Sequence, residues 1–182
     1  IYPDKKYLVE DRKVKLAKSS EARVTSVVSY KEKQAELKDI INVQMPQNRD
    51  NISTAAAHGD FRENFEFHAA KAAKKLLESR RAELEKMLDE VKPTDFTEFE
   101  VKDRVIIGST IELDIKGSSV TYTILGLWDS DPDKKYISYE TPLGEILLGR
   151  TVGDEIELPG GGTGTIKSIS GLSASLVKKL SK

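Results

Sequence analysis

The stretch AAAHGDFRENFEFHAAKAAKK at residues 55–75 places one glycine between two segments with helical periodicity. Gly59 follows an alanine-rich run, and glycine is the residue most often found just after the end of a helix. From Phe61 the helical pattern resumes strongly. Two long helices joined by so short a link must run antiparallel. The stretch therefore predicts the tip of a helical hairpin.

Apolar residues recur at helical spacing on both sides of this predicted tip. The stripe before the tip consists of Tyr30, Leu37, Ile41, Ile52 and Ala55, and the seam after it of Ala70, Ala73, Leu77, Leu84, Met87 and Val91. Pro46 interrupts the first arm and predicts a bend or an irregular turn. Each arm has about 30 residues, so at about 1.5 Å per residue the hairpin extends roughly 45 Å. We expect it to occupy residues 25–93.

The hydrophobic period changes to two from about residue 100, where short β-branched runs are separated by glycine, proline and aspartate. This pattern predicts a small antiparallel β domain over residues 94–172, in which GEILLG forms a short helix or turn. Residues 173–182 fit a short amphipathic tail helix. The expected fold class is α+β. Residues 1–24 are charged and sparsely apolar, and we interpret them as a lead-in from upstream sequence of a longer protein.

Composition excludes several classes of site and partner. The chain has 182 residues, a net charge of −1, no cysteine and two histidines. It therefore has no disulfide scaffold, thiolate zinc site or bulk basic field that would draw it onto nucleic acid. No apolar run approaches the ~20 residues that span a bilayer. We expect a cytoplasmic monomer without a membrane partner.

Asp60 and Glu63 follow Gly59 at a spacing that allows two interpretations. Asp and Glu three residues apart at a helix start match a capping box, with Asp in place of Ser or Thr. The alternative is that the two carboxylates hold a hard cation such as Mg²⁺, whose remaining ligands would come from water or from substrate phosphates. Spacing by itself favours the cap, because capping boxes are common.

The surroundings of the pair favour a role beyond capping. The predicted tip also carries His58, Arg62, Asn64, Glu66 and His68, interleaved with Phe61, Phe65 and Phe67. Three phenylalanines within seven residues cannot all pack into the seam of a two-helix hairpin. At least one should be exposed, which costs free energy unless a partner covers it. An acidic and aromatic end on a long arm suggests a probe that is inserted into another molecule.

The segment GDFRENFEFHAAK resembles the GD(L/F)(K/R)EN-x-E(Y/F)-x-A-A motif of the bacterial Gre transcript-cleavage factors. Further along, RVIIGSTIEL and ISYETPLGEILLGRTVGDEIEL resemble the entry strand and the LLG…GD segment of that family, and LPGGGTGTIKSI resembles its final strand pair. The resemblance covers roughly residues 29–170. It implies an N-terminal antiparallel coiled-coil hairpin followed by an FKBP-like antiparallel β domain.

The resemblance also implies a function. Gre factors bind RNA polymerase through its secondary channel and stimulate cleavage of the nascent RNA in backtracked complexes. By this likeness, Asp60 and Glu63 would help to hold the second active-site Mg²⁺, shared with the polymerase. His58, Arg62, Asn64, Phe65, Glu66 and His68 would support the tip, and Thr141, Pro142 and Leu143 would dock on the polymerase. The factor would activate the polymerase and have no nuclease activity alone.

The sequence departs from the family pattern at two positions, and two alternative functions remain open. Phe67 replaces the more usual tyrosine, and Thr141 replaces serine. A secondary-channel regulator without cleavage activity remains an alternative, although the retained acids argue against it. A prolyl isomerase or chaperone module is the other alternative. An isomerase needs an aromatic-lined pocket, for which the β domain offers Trp128, Tyr122, Tyr136 and Tyr139 without a clear cluster.

Overall fold

The computed structural model describes residues 23–57 and 64–182. The chain divides into two compact units, of which one is Tyr30–Val91 and the other comprises the chain on either side of it. Of the predicted lead-in at residues 1–24, residues 1–22 lie outside the described residues. The boundaries predicted at 25–93 and 94–172 came from composition and stay predictions. Within the described ranges, no helix is both long and apolar enough to cross a bilayer.

The helical unit has two arms, and their helices do not reach either end of the hairpin expected over residues 25–93. The first arm comprises α1 (Val27–Asp39), a π-helical segment (Ile40–Gln44) and α2 (Met45–Ala57), and the second arm is α3 (Phe65–Glu90). Flanking these arms, β1 (Arg23–Ser26) and β2 (Val91–Thr94) pair as a two-stranded sheet. Helix is therefore wrong for both flanks. Pro93 accounts for the strand at the second flank, because proline disfavours helical backbone at the residue before it.

The irregularity expected at Pro46 is confirmed as a π-helical insertion. Proline has no backbone N–H and its ring clashes with the carbonyl four residues back. Directly before it, the Met45 N–H donates to the Ile40 carbonyl, five residues back. The wider turn accommodates the extra residue and the proline within a continuous arm. Such π insertions are a recognised cause of local helix distortion.

Polar contacts fix the antiparallel register of the two arms. The Tyr30 hydroxyl donates to the Leu88 carbonyl at 3.3 Å. Asn48, although buried, donates through Nδ2 to the Ala70 carbonyl at 3.0 Å. The later residue of the first arm contacts the earlier residue of the second arm, as an antiparallel hairpin requires. Directional bonds of this kind specify register in a way that apolar seams do not.

An ion pair between Arg80 and Glu36 also joins the two arms. Arg80 donates through Nε and Nη2 to Glu36 Oε1 at 2.8 and 2.6 Å, and Lys33 donates to Glu36 Oε2 at 3.0 Å. Burial alone would raise the pKa of Glu36, but the hydrogen bonds from Arg80 and Lys33 outweigh it and lower that pKa. This explains why a charged residue occupies the apolar seam predicted in the second arm.

We expect Glu36→Gln to lower the free energy of unfolding of the hairpin by about 0.5 kcal/mol, because the pair is about one-third exposed and solvent screens it. The folded-state pKa lies below the usual 4.5. The contribution is therefore complete above that value and is lost as pH falls through the folded pKa. Urea unfolding followed by helical circular dichroism, at neutral and acidic pH, measures the difference. Glu85→Gln, which removes an Arg81 pair within one arm, is the control.

The other unit is built on a five-stranded sheet with the order β5-β4-β3-β7-β6. Its strands are β3 (Ser109–Ile115), β4 (Ser118–Leu125), β5 (Tyr136–Ser138), β6 (Glu155–Glu157) and β7 (Thr163–Gly171). The pairs β3–β4, β3–β7 and β6–β7 are antiparallel, whereas β4–β5 is parallel. The sheet is thus mixed, and the expectation of a wholly antiparallel sheet is corrected at its β5 edge.

Strand alternation places the core of this unit on one face of the sheet. Along β3, Ile111 and Leu113 are buried, whereas Thr110 and Glu112 lie on the opposite face. The core cluster consists of Val105, Ile111, Leu113, Ile124, Tyr139, Leu147, Ile156 and Ile166. GEILLG contributes Leu147 to the core from α4 (Pro142–Leu147), which confirms the predicted helix. The predicted tail helix is also confirmed as α5 (Ala174–Leu180), capped by Ser173.

A buried carboxylate ties β1 and the start of α1 into this unit. Asp129 accepts hydrogen bonds from the Ser26 backbone N–H at 2.8 Å, the Ser29 hydroxyl at 2.6 Å and the Gly126 N–H at 3.0 Å. Ser26 Oγ in turn accepts from the Ser29 N–H at 3.1 Å, which caps α1. Because both carboxylate oxygens accept hydrogen bonds, burial of this polar side chain is tolerated.

Candidate functional site at the helical tip

The structure describes only part of the predicted tip. Asn64, Phe65, Glu66 and His68 are described, at the start of α3. The other predicted tip residues, His58, Asp60, Arg62 and Glu63, lie in 58–63, outside the described residues. Their roles stay predictions, and the site is built here from the two helix ends that flank them.

Asn64 is the N-cap of α3. Its side-chain Oδ1 accepts from the Phe67 backbone N–H at 2.9 Å, one of the N–H groups that a helix start leaves without a partner. The N-cap of this helix, which begins at Phe65, is therefore Asn64, whereas the capping-box interpretation of Asp60 and Glu63 falls outside the described residues and stays a prediction. Asparagine is among the most favoured N-cap residues, so the sequence contained this signal, but the Asp60–Glu63 spacing competed with it.

The same asparagine reaches across to the other arm. Its Nδ2 donates to the Ala55 carbonyl at 2.6 Å. Ala55 lies in the last turn of α2, where carbonyl groups have no partner within the helix. One side chain therefore satisfies an acceptor at the end of α2 and a donor at the start of α3. No local sequence pattern indicates this second bond, because it joins residues from separate helices.

Phe65, the first residue of α3, is 88% exposed. The expectation that at least one phenylalanine of the tip would be exposed is thus confirmed. Phe67 behaves differently, because it is half-buried, lies edge-on to the His68 ring, and has the Lys71 ammonium 4.6 Å from its ring centroid. The exposed Phe65 ring is apolar area that a binding partner would stabilise by covering it.

Glu66 and His68 are both exposed in the first turn of α3. A carboxylate there interacts favourably with the positive end of the helix dipole. In the part of the chain that the structure describes, no three His, Asp or Glu side chains group closely enough to hold a metal ion. A tip site with three such ligands would therefore need residues outside the described ranges.

The predicted docking residues lie at the start of α4 in the other unit. Thr141 caps this helix by accepting from the Gly144 N–H at 3.2 Å, and its hydroxyl donates to the Ser138 carbonyl at 2.7 Å. Pro142 follows at the first helical position and is exposed, whereas Leu143 is partly buried against the core. Threonine thus performs the cap that serine would perform. Contact with a polymerase stays a prediction.

Comparison with known proteins identifies the family. The profile described as "Transcription elongation factor, N-terminal" matches residues 24–92. A second, described as "Transcription elongation factor, GreA/GreB, C-term", matches residues 100–170. The chain belongs to the GreA/GreB family of transcription elongation factors. The resemblance stated from the sequence is confirmed, and this GreA/GreB protein is a transcription elongation factor.

Individual relatives agree with the assignment to the GreA/GreB family. The transcription elongation factor GreA of Wolinella succinogenes is 36% identical over 140 residues, which covers 75% of this chain and 86% of that protein. GreA of Novosphingobium aromaticivorans is 39% identical over 130 residues, covering 71% and 81%. The GreA factor homolog 1 (Gfh1) protein of Thermus thermophilus is 21% identical, covers 83% of this chain and all of that one, and has a TM-score of 0.39, too low to bear on function.

Proposed function

We propose that this GreA/GreB family member binds bacterial RNA polymerase through its secondary channel and stimulates cleavage of nascent RNA in backtracked complexes. Asp60 and Glu63 would help to retain the second active-site Mg²⁺ of the polymerase. The observation that supports this most is the cap at Asn64. Since Asn64 is the N-cap of α3 and accepts from the Phe67 N–H, that N-cap role does not account for the two acids.

The residue types fit the proposed ion. Mg²⁺ prefers carboxylate oxygens and is typically held by one or two protein carboxylates together with waters and phosphate oxygens. Asp60 and Glu63 would supply such ligands in addition to those of the polymerase. The chemistry that the ion supplies when bound is activation of a water molecule and stabilisation of charge on the RNA phosphate. Neither acid needs to be a nucleophile or a base.

The contribution of this chain would be to carry the two carboxylates to another molecule's reaction centre. The antiparallel register set by the Asn48–Ala70 and Tyr30–Leu88 hydrogen bonds brings Ala55 and Asn64 together at one end of the hairpin. Asp60 and Glu63 lie between those two residues in the sequence. A site completed only in the complex implies that the free protein has no nuclease activity.

The prolyl isomerase alternative is disfavoured by where the aromatic residues lie. Tyr122 packs against the core on one face of the sheet, whereas Tyr136 lines a polar cleft with Thr110 and Thr123. The hydroxyl of Tyr139 is engaged by the Val24 backbone N–H at 3.4 Å. These rings do not line one apolar pocket, as binding of a prolyl peptide would require.

A cleavage assay on stalled, backtracked complexes tests the proposal. Purified polymerase with labelled nascent RNA is incubated with Mg²⁺, with and without the protein, and the protein is also incubated with the RNA alone. We expect cleavage to accelerate only when polymerase and protein are both present. Binding to polymerase without faster cleavage would instead support the regulator without cleavage activity, and cleavage of free RNA would show a nuclease.

A further inference from the structure

Asn64 is the one described tip residue whose side chain joins the two arms on either side of the segment carrying Asp60 and Glu63. Its Nδ2 donates to the Ala55 carbonyl at 2.6 Å, and its Oδ1 accepts from the Phe67 N–H at 2.9 Å. Its own carbonyl accepts from the His68 N–H at 3.2 Å, as the first bond of α3. Ala55 itself is 3% exposed, so this carbonyl is poorly placed to find water instead.

We infer that Asn64 is a positioning residue, which holds the end of α2 against the start of α3 and thereby limits where Asp60 and Glu63 can lie. This inference rests on the proposed function. Two carboxylates can retain a weakly held ion only if they spend most of their time in the geometry that the ion requires. A tie at the base of a short connection restricts that geometry more than a tie further along the arms.

The chemistry of the amide explains why asparagine is needed. A side chain at this position must donate in one direction and accept in the other. Aspartate and serine can accept the helix N–H as N-caps. Ionised aspartate cannot donate, and the shorter serine hydroxyl does not reach as far as Nδ2. Both substitutions therefore keep the cap and remove the tie to Ala55.

The main experiment compares Asn64→Asp and Asn64→Ser with the wild type in the cleavage assay over a range of Mg²⁺ concentrations. We expect the half-saturating Mg²⁺ concentration to rise about fivefold, as loss of one hydrogen bond implies, while the rate at saturating Mg²⁺ and the affinity for polymerase stay close to wild type. Using both variants separates loss of the tie from the extra charge of aspartate. Asn51→Asp and Asn51→Ser make the same chemical changes at an exposed position of α2, and they should leave the Mg²⁺ dependence unchanged.

A second measurement on the free protein is independent of the polymerase. The chain has no cysteine, so Thr54→Cys and Ala69→Cys, at exposed positions on the two arms, accept spin labels selectively. We expect a narrow distance distribution in the otherwise native chain and a broader one when Asn64→Asp or Asn64→Ser is added. Helical circular dichroism should be unchanged, since the cap is retained.

The outcomes separate this inference from the proposed function. If Asp60→Asn stops cleavage while both Asn64 variants match the wild type in Mg²⁺ dependence and label distances, the inference is overturned and the proposed function stands. An equal loss of rate at every Mg²⁺ concentration would also overturn it, because that is not a defect in ion retention. If Asp60→Asn cleaves normally, both ideas fail.

Discussion

Replacing Asp60 by asparagine is expected to reduce the stimulation of RNA cleavage by about a hundredfold or more, the loss typical when a group that stabilises transition-state charge is removed. The amide keeps the size of the side chain but removes the negative charge that would retain the second Mg²⁺. Affinity for polymerase should change little, because docking is predicted to use other surfaces, including Thr141 and Pro142. Cleavage rates and binding curves on the same backtracked complexes measure the two effects.

Asp50→Asn is the matched control for this substitution. It makes the same chemical change at an exposed position of the first arm, away from the predicted tip. Glu63→Gln should reproduce the defect of Asp60→Asn, and raising the Mg²⁺ concentration should recover part of the lost rate in both. Wild-type cleavage by Asp60→Asn would rule out metal retention by this residue.

Replacing Gly126 by alanine is expected to destabilise the β unit by about 3 kcal/mol or more, because overpacking against backbone cannot be relieved by rotating a side chain. A Cβ at this position would lie 2.7 Å from the Val24 carbonyl oxygen and 2.6 Å from Asp129 Oδ2, and closest of all to Thr25 Cα. Those atoms belong to β1 and to the carboxylate that secures it. The methyl group would therefore displace β1 and break its hydrogen bonds to Asp129.

Urea unfolding followed by tryptophan fluorescence measures this effect. Trp128 is the only tryptophan of the chain, and it lies in the affected unit, where its backbone N–H donates to Thr25 Oγ1 at 3.3 Å. Gly160→Ala is the control, because a Cβ there meets nothing within 4 Å. Equal midpoints for the two variants would contradict the close approach of β1 to Gly126.

Local pattern predicted the hairpin, the strand-rich second half and both short helices. Helical spacing and the position of Gly59 were sufficient for the arms, and the glycine and proline punctuation was sufficient for most strands. The predicted ends of the helical arms were wrong because β1 and β2 pair with each other. These strands are separated in sequence by the whole hairpin, so a local sequence pattern does not reveal the pairing. The parallel β4–β5 pair was missed for the same reason, since a three-residue strand does not reveal its partner.

At the site, too, local sequence identifies candidate residues but not the distant contacts that they make. Asp60 and Asn64 are both favourable N-cap residues, and local sequence does not show that Asn64 also donates to the Ala55 carbonyl, which approaches only when the arms pack. Asp129 lies in the acid-rich stretch DSDPDKK, yet it is 7% exposed and binds β1, whereas Asp133 in the same stretch is exposed. Acid-rich sequence does not show which carboxylate is buried, because burial depends on distant donors such as Ser26.

The central claim, that Asp60 contributes a ligand to a metal ion in the polymerase, is tested most directly by changing the ligand and then the metal. Asp60→Cys introduces the only thiol of the factor, since the chain has no cysteine. Thiolate is a soft ligand that binds soft cations better than Mg²⁺. We expect this variant to be inactive with Mg²⁺ alone and to recover about tenfold in rate when micromolar Cd²⁺ is added, whereas Asp60→Ser should not recover. Equal responses of the two variants to Cd²⁺ would contradict direct coordination by residue 60.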